Sequence, residues 1–87
     1  MARYSLEIKR SAARELERLP TMKDRRLVIE RISGLAEDPR PHGSEKLAGE
    51  TRYRVRQGVY RIVYEVDDAS HVVRVVKIGH RRDVYRA

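Results

Sequence analysis

The chain has no cysteine, phenylalanine or tryptophan among its 87 residues. Without cysteine there is no disulfide, no thiol nucleophile and no cysteine-based zinc site. A core has to be built from Leu, Ile, Val, Ala and the five tyrosines. No apolar run is long enough to span a bilayer, and the N-terminus alternates charged with apolar residues where a signal peptide would be continuously apolar. A soluble, cytoplasmic protein without membrane contact is expected. No glycine-rich loop precedes a helix, and His42, His71 and His80 lack a ligand spacing such as HxxxH. Neither a metal nor any other cofactor is expected.

What the chain does have is positive charge. Twenty Lys and Arg stand against 13 Asp and Glu, a net charge of +7, with an isoelectric point of about 10.2. Such a balance favours nucleic acid or another acidic partner. Residues 1–50 carry 11 basic against 9 acidic side chains, and residues 51–87 carry 9 against 4. The second half is therefore the electropositive half.

The whole chain, 1–87, reads as one domain, with no repeat, linker or low-complexity tract. Tyr4, Leu6 and Ile8 alternate with polar residues and predict a first strand. Ser11 is the expected N-cap of a helix with Ala12, Leu16 and Leu19 at helical spacing, stopped by Pro20. Thr21 is positioned to cap a second helix running to about Ala36, with Met22, Ile29, Ile32 and Leu35 as its core stripe. Asp38-Pro39 ends it, and RPHGSEKLAGE reads as a loop. Asp67-Asp68-Ala69-Ser70 reads as a turn. HVVRVVKI then predicts a central strand broken by Gly79. The order β-α-α-β-β-β implies an α+β fold, a helical hairpin on one face of a small, mostly antiparallel sheet.

The organising stretch is KLAGETRYRVRQGVYRIVY, from Lys46 to Tyr64. It predicts a β-hairpin with Gln57-Gly58 as its loop, Gly58 supplying the positive φ of a primed turn. Counting from that loop sets Arg56 against Val59, Val55 against Tyr60 and Arg54 against Arg61. Period-two alternation places Arg52, Arg54, Arg56 and Arg61 on one face, and Tyr53, Val55, Tyr60, Ile62 and Tyr64 on the other. Like charges directly opposed destabilise a hairpin, so the arginine row calls for a polyanion. The tail Gly79-His80-Arg81-Arg82-Asp83-Val84-Tyr85-Arg86 adds an imidazole, three guanidiniums and a phenol. Leaving the sheet beside the hairpin, it is expected to line the same groove.

KLAG, YRVRQGVYRIVYEVDD and VVRVVKIGHRRDVYR together resemble the RelE/ParE superfamily of bacterial toxins, small basic proteins paired with an antitoxin. The resemblance spans essentially the whole chain, including the order of elements and the break at Pro20. The RelE-like branch, ribosome-dependent mRNA endonucleases, is the favoured reading, and the ParE-like DNA gyrase inhibitors that share the scaffold are the alternative. The resemblance implies that Arg54 and Arg56 match two basic strand positions, Arg61 the arginine of the next strand, Arg81 the arginine after the last strand, and Tyr85 a late tyrosine. Arginine stands where RelE often carries lysine, which removes a strand-borne proton acceptor. Lys46, Arg52, Arg82 and Arg86 are the accompanying candidates to hold RNA. The implied partners are a cognate antitoxin, in a hetero-oligomer covering the basic surface, and the ribosome with its mRNA.

RNA carries its own nucleophile, the 2′-OH beside the scissile phosphate, so cleavage needs in-line geometry, charge stabilisation and proton transfer. Arg61 and Arg81 suit the charge, because a guanidinium fork grips phosphate oxygens. Arg54 and Arg56 are suited to steer the backbone, and Tyr85 to stack on a base or orient the 2′-OH. His80 is the nearby group that titrates near neutrality and is the expected general acid or base.

Overall fold

Alternation of apolar and charged residues becomes three long strands, and the helical spacing before them becomes a pair of helices laid across one side. A computed structural model describes residues 3–47 and 51–80. In chain order the elements are β1 (Ser5–Ile8), α1 (Arg10–Glu17), α2 (Met22–Gly34), β2 (Glu45–Lys46), β3 (Arg52–Gln57), β4 (Tyr60–Asp67) and β5 (Val72–His80). The sheet order is β1-β5-β4-β3-β2. β1 runs parallel to β5 and every other neighbouring pair is antiparallel. This is the expected α+β arrangement. It has one element more than the sequence suggested: Glu45 and Lys46, read as loop, pair with Arg54 and Tyr53 as a two-residue edge strand.

The two helices and one sheet face share a single apolar cluster. Ala12 and Leu19 bring α1 and its exit into it, Val28, Ile32 and Leu35 bring α2, and Val55, Ile62, Tyr64, Val73, Val75 and Ile78 form the sheet side. Pro20 separates the helices as expected, and the Thr21 hydroxyl accepts from the Asp24 N–H at 3.0 Å, capping α2. Ser11 is not the cap of α1. That helix begins two residues earlier than expected, with Lys9 at the N-cap position and no side-chain capping bond.

The expected stripe of α2 is corrected in its upper half. Met22 is 78% and Ile29 47% exposed, while Val28 and Ile32 are buried. Each residue turns a helix by about 100°, so a stripe centred on Val28, Ile32 and Leu35 swings Ile29 to its flank. Leu6 and Ile8, the alternating apolar residues of the first strand, are 38% and 41% exposed, because β1 is an edge strand.

The hairpin loop is Gly58-Val59, not Gln57-Gly58, because Gln57 pairs with Tyr60. Gly58 has φ of 61° and Val59 is not in the positive-φ region, which is the II′ pattern, glycine at the first loop position. Every cross-strand pair moves accordingly. Arg56 faces Arg61, Arg54 faces Val63 and Arg52 faces Glu65. A slip of two residues leaves each side chain on its predicted face, so the separation of arginines from core residues survives the change. β5 also runs on through Gly79 to His80, and the expected break at Gly79 does not occur there. Its ladder with β4 is irregular between Val63 and Tyr64, where the register shifts.

Candidate nucleic-acid interface

Strand alternation fills the face away from the helices with charge, arranged in rows that cross the strands. One row is balanced. Glu7 pairs in register with Arg74, Arg74 with Glu65, and Glu65 with Arg52. Contacts at its two ends are 3.1 Å from Arg74 Nε to Glu7 Oε1 and 3.3 Å from Arg52 Nε to Glu65 Oε2. The next row toward the loop holds Lys77, Val63, Arg54 and Glu45. The last holds Gly79, Arg61 and Arg56. Positive charge therefore concentrates at the hairpin end of the face.

Within that end, Arg56 and Arg61 are directly opposed across the hairpin, a pairing that costs stability unless an anion accompanies it. The Arg61 Nη1 donates to the Tyr60 carbonyl at 3.3 Å. Arg54 is largely enclosed, with 14% of its side chain exposed, and its Nη2 meets Glu45 Oε2. Arg56 Nη2 lies 4.0 Å from Glu45 Oε1. Val63, on the same face, is buried at 5% exposure, so this side of the sheet has a partly covered floor and is not simply open.

His80 does not join the arginines. It pairs with Tyr60, and its ring stands edge-on to the Tyr60 ring at 6.3 Å. Arg61 is the next residue along β4 and points the opposite way. The sequence placed His80 beyond a broken strand, where it could turn toward the phosphate site. Continuation of β5 instead fixes it on the helix side. Tyr60 in turn donates to Asp24 Oδ2 of α2 at 3.2 Å, and burial together with that bond raises its pKa. Lys46 lies on edge strand β2, paired with Tyr53. Arg81, Arg82, Tyr85 and Arg86 lie outside the described residues.

At the other end of the sheet the sequence understated Asp68. Asp67 behaves as turn chemistry, its Oδ1 accepting from the Ser70 N–H at 3.1 Å. Asp68 does more, receiving the Tyr4 hydroxyl at 2.6 Å and Arg40 Nη2 at 2.7 Å. The Arg40 and Tyr4 hydrogen bonds hold its carboxyl at about 2. Arg40 also donates to the Tyr53 hydroxyl at 3.0 Å, and Tyr53 stacks on Tyr64 at 5.8 Å. The buried Tyr64 donates to the Pro39 carbonyl at 2.6 Å, and burial pushes its phenol up to about 12. These bonds tie together the turn, the post-helix loop and the residue that precedes β1. An Arg on a breaker-rich loop and a turn Asp 28 residues apart carry no local signal of their pairing.

Among the described residues no group of three or more His, Asp or Glu gathers to hold a metal ion, and no helix is long and apolar enough to cross a membrane. What the hairpin end offers chemically is guanidinium: forks able to grip phosphate oxygens and to stabilise negative charge.

Comparison with known proteins agrees with this geometry. A family model described as the ParE toxin of the type II toxin-antitoxin system, parDE, matches residues 6–85. The chain is similar to Toxin RelG of Mycobacterium tuberculosis, 30% identical over 86 residues that span 95% of this chain and 97% of that protein. It is 35% identical to Toxin RelE of the same organism over 85 residues, 95% of this chain and 87% of that protein. Among solved structures, the archaeal RelE–RelB complex from Pyrococcus horikoshii contains a chain that matches with a TM-score of 0.81 at 28% identity, covering 97% of this chain and 100% of that one.

Proposed function

The chain belongs to the RelE/ParE family of type II toxin-antitoxin toxins, and on that premise we propose that it is a ribosome-dependent endoribonuclease that cuts mRNA and so inhibits translation. The observation that carries the reading is the hairpin end of the charged face, where Arg56 opposes Arg61 with Arg54 two pairs away on the same face. A sheet surface with that repulsion built in is suited to a polyanion.

In this reaction the 2′-oxygen of the substrate bonds to phosphorus as the bond to the 5′-oxygen breaks. The 2′-proton goes to a base, and the departing 5′-oxygen gains a proton. Negative charge builds on the phosphorane oxygens between these events, and Arg61 is the group assigned to it, acting as a preorganised donor. Arg54 and Arg56 hold the neighbouring backbone, keep the phosphate in line and favour the ionised 2′-oxygen. Arg81 and Tyr85 are carried as further candidates on the family resemblance alone. His80, turned toward Tyr60, is not given the proton-transfer role. The strand residues on the arginine face include no histidine, and arginine is a poor proton acceptor because it stays charged. Efficient cleavage then depends on positioning by the ribosome.

A cognate antitoxin is the proposed partner, supported by the similarity to a chain solved as a RelE–RelB complex. The second reading, inhibition of DNA gyrase without cleavage, is favoured by the ParE description of the matching family. Programmed ribosomes and gyrase, each incubated with the toxin, separate the two. Cleaved message with unimpaired supercoiling supports the nuclease. Intact message with blocked supercoiling overturns it in favour of the gyrase reading.

A further inference from the structure

Glu45 arises from a loop-like sequence, yet it is drawn into the sheet as half of a two-residue edge strand, directly beside Arg54. Its two carboxylate oxygens are shared between two guanidiniums. Oε2 meets Arg54 Nη2, and Oε1 lies 4.0 Å from Arg56 Nη2. A carboxylate set this way presents two anionic oxygens to two cationic forks, as a backbone phosphate does. Burial says which partner is outermost: the Glu45 side chain is 54% exposed while that of Arg54 is 14% exposed. Glu45 thus lies on the more exposed side of Arg54, and an incoming phosphate meets the carboxylate as a competitor for this guanidinium.

We infer that Arg54 and Arg56 form an RNA phosphate subsite that Glu45 occupies as an internal competitor, displaced when RNA binds. The inference rests on the nuclease reading above and deepens it. The displacement is geometrically simple. Glu45 is carried on the short outer strand at the sheet edge, and its half-exposed carboxylate has water to turn into. The contact with Arg56 is exposed and inexpensive to break, and the phosphate takes the place of the carboxylate beside the enclosed Arg54. The carboxylate in turn keeps adventitious anions off the subsite and weakens contact with RNA that is not held in place by other groups. The charge elsewhere on this face has a different character. Glu7 and Glu65 pair with Arg74 and Arg52 in the balanced row, away from the Arg56–Arg61 pair.

The test is the affinity of the full chain for a 2′-O-methyl RNA oligonucleotide, which keeps every phosphate and has no attacking hydroxyl. Fluorescence anisotropy is read across a salt series for the unaltered protein, Glu45→Gln, Glu45→Asp and Glu7→Gln. Glu45→Gln is expected to bind about fivefold tighter, with the slope of log affinity against log salt little changed, because both complexes make the same phosphate contacts once the carboxylate is displaced. Glu45→Asp keeps the competing charge and is expected to stay near the unaltered affinity. Glu7→Gln makes the same change in net charge beside Arg74 and is expected to stay near the unaltered affinity. Equal affinity for Glu45→Gln and the unaltered protein overturns the inference while leaving the nuclease reading in place. Equal gains for Glu45→Gln and Glu7→Gln overturn it as well, since net charge would then explain both. Absence of RNA binding by every variant overturns the nuclease reading, and the inference with it.

Discussion

Arg61 and Ile62 are consecutive residues of β4 and belong to different halves of the molecule. Ile62 is fully buried with the α2 residues Val28 and Ile32 in the core. Arg61 faces the other side, opposite Arg56, at the cationic end of the charged face. Because a strand alternates at every residue, one short sequence supplies both the surface that holds the helices and the cationic surface proposed to meet RNA. The two can therefore be damaged separately.

The largest expected effect is on the apolar side. Ile62→Ala should cost about 2–5 kcal/mol of stability by removing packed methyl groups from a closed core. That is a large share of the roughly 5–15 kcal/mol that holds a typical domain together. Denaturant unfolding monitored by circular dichroism reads it directly. Arg61→Ala should leave the unfolding midpoint close to that of the unaltered chain, and should raise the barrier to ribosome-dependent cleavage by about 3 kcal/mol, the scale of one lost preorganised donor. If Arg61→Ala destabilised the fold as much as Ile62→Ala, the separation of the two faces would be broken.

A second contrast lies along the sheet. At the hairpin end cations oppose cations, whereas at the β4–β5 turn Asp68 is matched to Arg40 and Tyr4. The Asp68 carboxyl, held at about 2, lies below the ordinary value of roughly 3.9. A carboxylate depressed on folding stabilises the native state above its unfolded pKa, and that contribution is lost as pH falls from about 4 toward 2. The pair is exposed, so the effect should be the smallest of the three. Thermal melts between pH 5 and pH 2 should show Asp68→Asn with a shallower acid dependence than the unaltered chain. Identical profiles would remove Asp68 from the forces holding that end.

The same contrast explains what was legible in the sequence. Alternation at Tyr53, Val55, Ile62 and Tyr64 identified the faces correctly, because parity survives a two-residue slip. The exact register depended on whether Gly58 is the first or second loop residue, and both positions accept positive φ. Helical spacing found Ile32 and Leu35 but admitted Met22 and Ile29, since the direction a helix turns toward its sheet is a tertiary property. Glu45 and Asp68 were unreadable for a related reason. Their partners, Arg54 and Arg40, lie 9 and 28 residues away, and ion pairs over such separations leave no periodic trace. His80 was misplaced because glycine marks strand ends often and does not do so here.

The central claim is that the substrate's own 2′-oxygen performs the cut while arginines of the hairpin hold the phosphate. Its most direct test is an mRNA programmed on ribosomes with a single 2′-deoxyribose at the cut site. The account predicts that cleavage at that position is abolished and that toxin still binds the programmed ribosome, because the phosphate contacts are unchanged. Cleavage at the deoxy position at the rate seen with ribose would contradict it.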